Sequence, residues 1–538
     1  MLPWFHRLLR RPYDRPLTSL VLLFLAWKVF LLGIALATPG PDYDTSTQLL
    51  LHGYGLQTRN VSSSAEAATW PVVSRLVTKL TRWDAIYFMS IGSRGHLYEQ
   101  EWAFGWGWTE LLFYLHSSEF QFFRSLLNTL ITCSSLVEYS FFGNDVVDVA
   151  VVGMIISNSC HLLSVLVLER LVKSLDASEA RERTAFIAAA LQIFSPAGLF
   201  LSAPYAESLF ALLSFLGHLC YAYSYHRADE RRCITHDVWL LASGIFFGLA
   251  TTVRSNGILF GVMFAYDAVV HGFAFVRSHP QLVNAWLYAS TVSAVLLFMA
   301  VKADMLTHAP SAWPLRHWAV FAIFYLNLGL LSLRYLPFTP GPTPQPTLSQ
   351  TRHLACTITA GLLLATCFAA PQYLAWLSYC GPGAALPPRP WCAARLPLVF
   401  SFAQAHYWGV GPFRYWRASN APLFAVAAPT LAVLFGSAAV PLVRRLRART
   451  AAAASETRAV ELQARFALVQ ALLALLALTT FHVQIVGRIA SGYPLWMGGV
   501  AAAMVRRGAS KATRAVVRWV VMYAVVQGVL FAAFLPPA

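Results

Sequence analysis

LTSLVLLFLAWKVFLLGIALA, residues 17–37, decides the fold class. A run of about twenty apolar residues, coiled at 1.5 Å per residue, matches the ~30 Å hydrocarbon core of a bilayer. Lys28 is the one charge within it, and Arg7, Arg10, Arg11 and Arg15 stand before it. No convincing small-residue cleavage site follows, so the stretch reads as an uncleaved anchor rather than a removed signal peptide. The arginines assign its N-terminal end to the cytoplasm.

The rest of the chain has the same character. Of 538 residues, 57% are hydrophobic and 12% are charged, against roughly 25% charged in soluble domains. The expected fold is an all-α polytopic membrane protein, one polytopic domain over 1–538. The net charge of +16 invites a nucleic-acid reading. The basic residues nevertheless stand in short clusters between apolar runs, where membrane topology uses them. No zinc-type Cys/His spacing and no continuous basic domain accompanies them, so no nucleic acid is expected as a partner.

Five basic clusters, Arg7–Arg15, Arg170–Arg183, Arg227–Arg232, Arg444–Arg449 and Arg506–Arg518, fall on one side together if spans are placed as follows. They are expected at 17–37, 146–168, 185–203, 206–224, 238–253, 257–275, 283–301, 316–334, 354–377, 421–443, 464–481, 494–505 and 516–534, about 11–13 in all. A first lumenal loop then covers 38–145, with Phe120–Leu136 as a lumenal or re-entrant helix. A second long lumenal segment covers 378–420, and the basic loop 444–463 and the Pro-rich stretch 337–346 are cytoplasmic. The sequon Asn60-Val61-Ser62 lies in the first lumenal loop, where glycosylation would require it. Cys380 and Cys392 flank a Pro/Gly-rich loop. They can pair if that loop faces an oxidising compartment, and are two free thiols otherwise.

Val72–Ile86 has the spacing of an amphipathic helix, with Val73, Leu76, Val77, Leu80 and Trp83 on one face and Arg75, Lys79 and Arg82 on the other. At about 100° per residue, Asp84 falls about 40° from Leu80, among the apolar side chains. A carboxylate there carries a desolvation cost unless it has a partner or a task. The topology sends Arg82-Trp83-Asp84, Glu99-Gln100-Glu101-Trp102, Tyr205-Ala206-Glu207, Arg254-Ser255-Asn256 and Gln484–Arg488 to one side of the membrane. Carboxylates and isolated arginines at a membrane surface suit sugar transfer from a lipid-linked phosphate. A base takes the acceptor hydroxyl proton, and planar guanidinium forks stabilise the departing phosphate. Because that leaving group is already an anionic phosphate, no metal is expected.

Each residue also has a plainer use. Asp84 can anchor the interfacial helix through an ion pair, Glu99 and Glu101 can be solvated loop charges, and Glu207 can cap the helix it opens. Arg254 and Arg488 can snorkel to headgroups, His482 can be a packed histidine, and Tyr407-Trp408 with Tyr415-Trp416 can form an interfacial belt. Two other functional classes remain open on the residues alone. One is a polytopic lipid or sugar transporter or scramblase, which would place its polar residues near the midplane. The other is a non-catalytic subunit of an ER membrane complex.

The ordered set of motifs resembles the PIG-V family of GPI mannosyltransferases. It comprises Arg82-Trp83-Asp84-Ala85-Ile86-Tyr87-Phe88, Glu99-Gln100-Glu101-Trp102-Ala103-Phe104, Ser195-Pro196-Ala197 and Ser202-Ala203-Pro204-Tyr205-Ala206-Glu207-Ser208. It continues through Ala250-Thr251-Thr252-Val253-Arg254-Ser255-Asn256-Gly257, Tyr407-Trp408-Gly409-Val410-Gly411-Pro412-Phe413 and Gln484–Arg488. The resemblance implies a GT-C glycosyltransferase fold, multi-pass in the endoplasmic reticulum membrane, with the N-terminus cytoplasmic and the active site lumenal. It implies dolichyl-phosphate mannose as donor and a monomannosylated GPI precursor as acceptor, which receives its second, α-1,6-linked mannose with inversion. On this chain Asp84 would be the general base, with Glu99 and Glu101 orienting the acceptor. Arg254 and Arg488 would contact the donor phosphate, with Asn256 and Gln484 beside them. Arg82, Trp83, Trp102, Tyr205, Glu207 and Trp408 would meet the acceptor or sugar. No cofactor is implied, ER membrane lipids surround the site, and the resemblance allows a small accessory membrane subunit. One departure is Gly105-Trp106-Gly107-Trp108, which stands where the family continues into a Pro-containing run.

Overall fold

The computed structural model describes residues 13–39, 44–53, 71–116, 145–175, 178–226, 233–278, 280–307, 348–382, 389–448, 454–506 and 509–535, with isolated positions at 323, 326, 327 and 384. Among them every regular element is helical, as a chain with this little polar surface requires in hydrocarbon, where backbone groups must be satisfied within a segment. In order, the helices are α1 (Pro16–Ala37), α2 (Ser46–Gly53), α3 (Pro71–Leu80), α4 (Asp84–Arg94), α5 (Trp106–His116) and α6 (Asp145–Leu175). They continue with α7 (Arg181–Ile193), α8 (Glu207–His226), α9 (Cys233–Val253), α10 (Gly261–Ser278), α11 (Pro280–Thr307) and α12 (Leu348–Cys380). The last are α13 (Val399–Tyr407), α14 (Ala421–Ala448), α15 (Ala454–Thr479), α16 (Val486–Ile489), α17 (Pro494–Val505) and α18 (Lys511–Ala532).

Seven of these, α1, α6, α9, α12, α14, α15 and α18, are long and apolar enough to cross a membrane, among the described residues. The protein is therefore multi-pass. Pro16 and Pro494 stand at helix starts, where a missing N–H costs nothing. Ser510 caps α18 by accepting the Thr513 N–H at 3.0 Å. Pro371, Pro429 and Pro441 lie inside α12 and α14, which membrane helices tolerate.

The chain divides into two compact units, Met1–Met263 with Leu362–Ala538, and Phe264–Gly361. The smaller contains α11 and a contact at 3.0 Å between the Nε2 atoms of His271 and His353. In the larger, α8 packs between α6 and α9, α7 lies on α6 and α17, α14 pairs with α15, and α1 with α18.

Several expected elements differ. The helix expected over Val72–Ile86 is two helices, α3 and α4, broken at Trp83, whose φ of 52° cannot continue an α-helix. The break changes which residues are buried. Arg82, expected on the polar face, is 0% exposed, and Asp84 becomes the first residue of α4. The span expected at 185–203 ends at Ile193, because Pro196 follows and Gly198 takes φ +50°, turning the chain into the 3-10 segment Gly198–Leu201. The 257–275 span begins with a 3-10 turn, Ser255–Phe260, before α10. Much of the 444–463 loop is helical, as the end of α14 and the start of α15. The expected span at 316–334, except for three isolated positions, lies outside the described residues. So do the linker 337–346, the helix at 121–136 and Asn60. Cys380 and Cys392 form a disulfide.

Candidate active site

Breaking the helix at Trp83 puts the Asp84 carboxylate at a helix N-terminus, where the partial positive charge of unpaired N–H groups favours an anion. The turn before it is tied down from outside. The Arg82 carbonyl accepts both the Ala85 N–H at 3.0 Å and the Tyr205 hydroxyl at 2.6 Å. Tyr205 is fully buried and stands two residues before Glu207, the first residue of α8.

Four charges then meet in a chain. Arg488 Nη2 donates to Asp84 Oδ2 at 2.6 Å, and Arg488 Nε lies 2.7 Å from Glu207 Oε1. Arg254 Nη1 donates to the same Glu207 oxygen. Glu207 is 1% exposed, Arg488 13% and Arg254 15%, whereas Asp84 is 32% exposed. The two arginines thus share a sunken carboxylate, and the fourth charge opens toward solvent. Glu207 Oε2 and Arg254 Nε are buried without a hydrogen-bond partner among the described residues. Arg254 Nε can donate to a ligand oxygen there, and Glu207 Oε2 can accept from a ligand hydroxyl.

Burial pushes the Arg488 guanidinium down, but Asp84 and Glu207 outweigh it and hold it above its ordinary value. Burial, with repulsion from Arg488, outweighs the attraction of Glu207 and Asp84 and leaves Arg254 below its ordinary value. The Arg488 guanidinium also lies over the Phe200 and Tyr205 rings, 4.9 and 5.5 Å from their centroids.

The neighbours expected beside the arginines are present with partners of their own. Asn256 Nδ2 donates to the Tyr493 hydroxyl at 3.2 Å, and that hydroxyl is equally close to the Asn256 carbonyl. Gln484 lies beside Tyr415, whose ring stacks on His482 at 4.6 Å. His482 Nε2 meets the Trp408 carbonyl at 2.9 Å. A carbonyl only accepts, so the proton sits on Nε2. The Trp408 ring meets Phe104 and Tyr87 edge-on, and Tyr87 stacks on Phe104 at 4.4 Å, one turn along α4 from Asp84.

The other expected residues are held elsewhere. Glu99 receives Arg389 through two bonds of 2.8 and 2.6 Å, the Trp391 indole N–H at 3.0 Å and the Tyr407 hydroxyl at 2.6 Å. Burial pushes its carboxyl up, and those donors overcome the push and bring it down to about 2. Glu101 binds Arg94 at 2.6 Å and the Leu97 and Tyr98 N–H groups at 2.8 and 3.1 Å. Both carboxylates are 4% exposed or less; Glu99 joins the first loop region to the segment after α12, whereas Glu101 ties the first loop region to itself. Trp102 packs with Tyr379 and Trp391 in that junction. The Arg82 guanidinium lies over Phe534 at 5.0 Å, and Trp83 meets the same ring edge-on. Arg389, Trp391, Tyr407 and Tyr493 carry this architecture and were not singled out from the sequence for these contacts. Nothing in their spacing points to partners some 290 residues away.

The departure at Gly105-Trp106-Gly107 has a steric reason. A Cβ at Gly105 would lie 1.7 Å from the Val253 carbonyl oxygen, and one at Gly107 2.3 Å from Thr252 Oγ1. The start of α5 therefore packs against the end of α9, immediately before Arg254.

Fold and site define a class first, an all-α multi-pass membrane protein with a paired-charge centre assembled from the connections between its helices. A profile of the family described as Mannosyltransferase (PIG-V) matches residues 19–303 and 278–538. The chain is 34% identical to GPI mannosyltransferase 2 of Gibberella zeae, over 98% of each chain. It is 36% identical to that of Chaetomium globosum, over 98% of this chain and 96% of the other. With that of Aspergillus fumigatus the figures are 33%, 97% and 94%. The chain belongs to the PIG-V mannosyltransferase family and is a mannosyltransferase. The oligosaccharyltransferase of Archaeoglobus fulgidus is similar with a TM-score of 0.34 and 13% identity, over 93% of this chain and 53% of that one, about half its length.

Proposed function

We propose that this mannosyltransferase adds the second, α-1,6-linked mannose to the monomannosylated GPI precursor, using dolichyl-phosphate mannose at the lumenal face of the ER membrane. The relatives named GPI mannosyltransferase 2 support the acceptor class. The observation that carries the chemistry is the chain Asp84–Arg488–Glu207–Arg254. It puts one half-open carboxylate beside two arginines that a buried glutamate holds together.

In the proposed step Asp84 takes the proton of the acceptor hydroxyl as its oxygen attacks the anomeric carbon. The bond from that carbon to the phosphate oxygen breaks, and its electron pair leaves with dolichyl phosphate. Arg254 and Arg488 receive the growing charge on the phosphate. Attack opposite the leaving group turns a β-mannosyl phosphate into an α-mannoside, so one base and an in-line acceptor suffice. A donor phosphate also competes for Arg488, and its arrival releases Asp84 Oδ2 to face the acceptor. The aromatic faces of Tyr87, Phe104 and Trp408 lie where a sugar ring can stack beside that carboxylate.

The Cys380–Cys392 disulfide supports a lumenal location, since such bonds persist in oxidising compartments. It closes the loop whose Arg389 and Trp391 grip Glu99. With that side lumenal, the N-terminus before α1 is cytoplasmic.

The test is purified protein in lipid nanodiscs with dolichyl-phosphate mannose and a monomannosylated GPI acceptor, followed by linkage analysis of the product. An α-1,6-linked dimannosyl product is expected. No transfer from this donor, or another linkage, overturns the reading.

A further inference from the structure

Lys28 stands in the middle of α1, is 6% exposed, and has no carboxylate partner among the described residues. An ionisable side chain within an apolar bundle is costly and persists where it has a task. Its Nζ donates to the Leu201 carbonyl at 2.9 Å and to Ser202 Oγ at 2.7 Å. Both acceptors lie in the sharp turn that leads from α7 to Tyr205 and Glu207.

The same turn is gripped from two further helices. Asn158 Nδ2 of α6 donates to the Ser202 carbonyl at 3.2 Å, and Ser157 Oγ to the Tyr205 carbonyl at 3.1 Å. Gln527 Oε1 of α18 accepts the Leu199 N–H at 3.2 Å, and a Cβ at Gly198 would collide with that oxygen at 2.3 Å. Irregular backbone inside a membrane protein needs such substitutes for helical hydrogen bonds. Of the four side chains, Lys28 alone meets two acceptors on successive residues of the turn, the Leu201 carbonyl and Ser202 Oγ.

We infer that Lys28 is a positioning residue for mannosyl transfer, acting through the Leu201–Ser202 turn on Tyr205 and, through the Arg82 carbonyl, on Asp84. The path is continuous. Lys28 fixes residues 201 and 202, the turn delivers the Tyr205 hydroxyl to the Arg82 carbonyl at 2.6 Å, and that carbonyl opens the helix that begins at Asp84. Glu207, two residues beyond Tyr205, is separately clamped by Arg254 and Arg488. Loss of the lysine therefore displaces the base more than the phosphate contacts. The inference rests on the reading of Asp84 as base.

Lys28→Met keeps the length and the apolar stem and removes the donors. Displacing a reacting group by an ångström costs up to about a hundred-fold in rate. Lys28→Met is therefore expected to lower kcat roughly ten- to hundred-fold per folded enzyme, with the KM values of both substrates within about three-fold of wild type. Ser202→Ala, which removes one acceptor, should lower kcat in the same sense, and the double variant should be no worse than Lys28→Met, because both act on one bond. Wild-type kcat in Lys28→Met, additive losses in the double variant, or a loss confined to the amount of folded protein overturns the inference. If Lys28→Met fails to accumulate, Ser202→Ala decides alone, with wild-type kcat counting against it and a lowered kcat at unchanged KM counting for it. The wild-type arm separates the two readings, since absence of mannosyl transfer there refutes the proposed reaction and not the role of Lys28.

Discussion

Asp84→Asn is the substitution that separates a base from an anchor. Asparagine keeps the size of the side chain and an oxygen that can accept from Arg488, but cannot take a proton from a sugar hydroxyl. General-base catalysis contributes about 10²–10⁴-fold, or about 3–5 kcal/mol of barrier at 1.36 kcal/mol per decade. The structural cost is far smaller. Arg488 retains Glu207 at 2.7 Å, and the lost pair is 32% exposed on its Asp84 side, so its contribution is about 1 kcal/mol or less. Turnover should therefore fall at least a hundred-fold while the thermal midpoint moves by only a few degrees. The assay is mannosyl transfer from dolichyl-phosphate mannose in nanodiscs, normalised to folded protein, beside a thermal unfolding curve. Asp84→Glu shifts the carboxylate by about one bond and should also lose about a hundred-fold. Activity within three-fold of wild type for Asp84→Asn, or losses that track the unfolding midpoint across the two variants, would refute the assignment of Asp84 as base.

Gly105→Ala should abolish activity or accumulation, because its Cβ would stand 1.7 Å from the Val253 carbonyl. Gly33→Ala, which meets nothing within 4 Å, is the control, and equal activity of the two in a microsomal assay would contradict the packing described. Glu99→Gln should loosen the segment around Arg389 by about 1–3 kcal/mol, the usual cost of losing charge-assisted hydrogen bonds at a buried group, because the Arg389 left behind is 38% exposed and can be solvated. The readout is faster proteolysis at residues 381–398. The Glu99 carboxyl sits at about 2 when folded and ~4.3 when unfolded. Its contribution is thus complete above about pH 4.3 and is lost as pH falls toward 2, so wild type but not Glu99→Gln should show this acid-dependent loosening in the same proteolysis assay. Cys380→Ser opens a loop closed across a separation of 12 residues, worth about 3 kcal/mol, and should lower the unfolding midpoint while leaving transfer at permissive temperature nearly unchanged.

The membrane class and most helix positions were legible because hydropathy is additive along a chain. Twenty apolar residues span a bilayer whatever they pack against, and 494–505 was located to the residue. The broken stretches were not legible in the same way. Periodicity ran Val72–Ile86 together because a spacing pattern is blind to the φ of 52° at Trp83, and hydropathy carried one span past Pro196 because it is equally blind to the turn at Gly198. Of the site, Asp84, Arg254 and Arg488 stood out as charges with no local use. That Arg254 and Arg488 share Glu207, and that Glu99 is a junction between distant loops, depends on partners from 47 to about 300 residues away.

Local hydropathy and ordered motifs suffice to read the solvent of this protein and the family to which it belongs. What each charge faces is set by the folding of distant segments onto one another. Ion pairing falls off within a few ångströms, and those distances are set by the turns at Trp83 and at Gly198–Ser202, not by spacing along the chain. Lys28 shows the difference most plainly. In the sequence it is a blemish in an apolar span, and in the fold its Nζ holds the turn on which the Tyr205 hydroxyl, and through it Asp84, is placed.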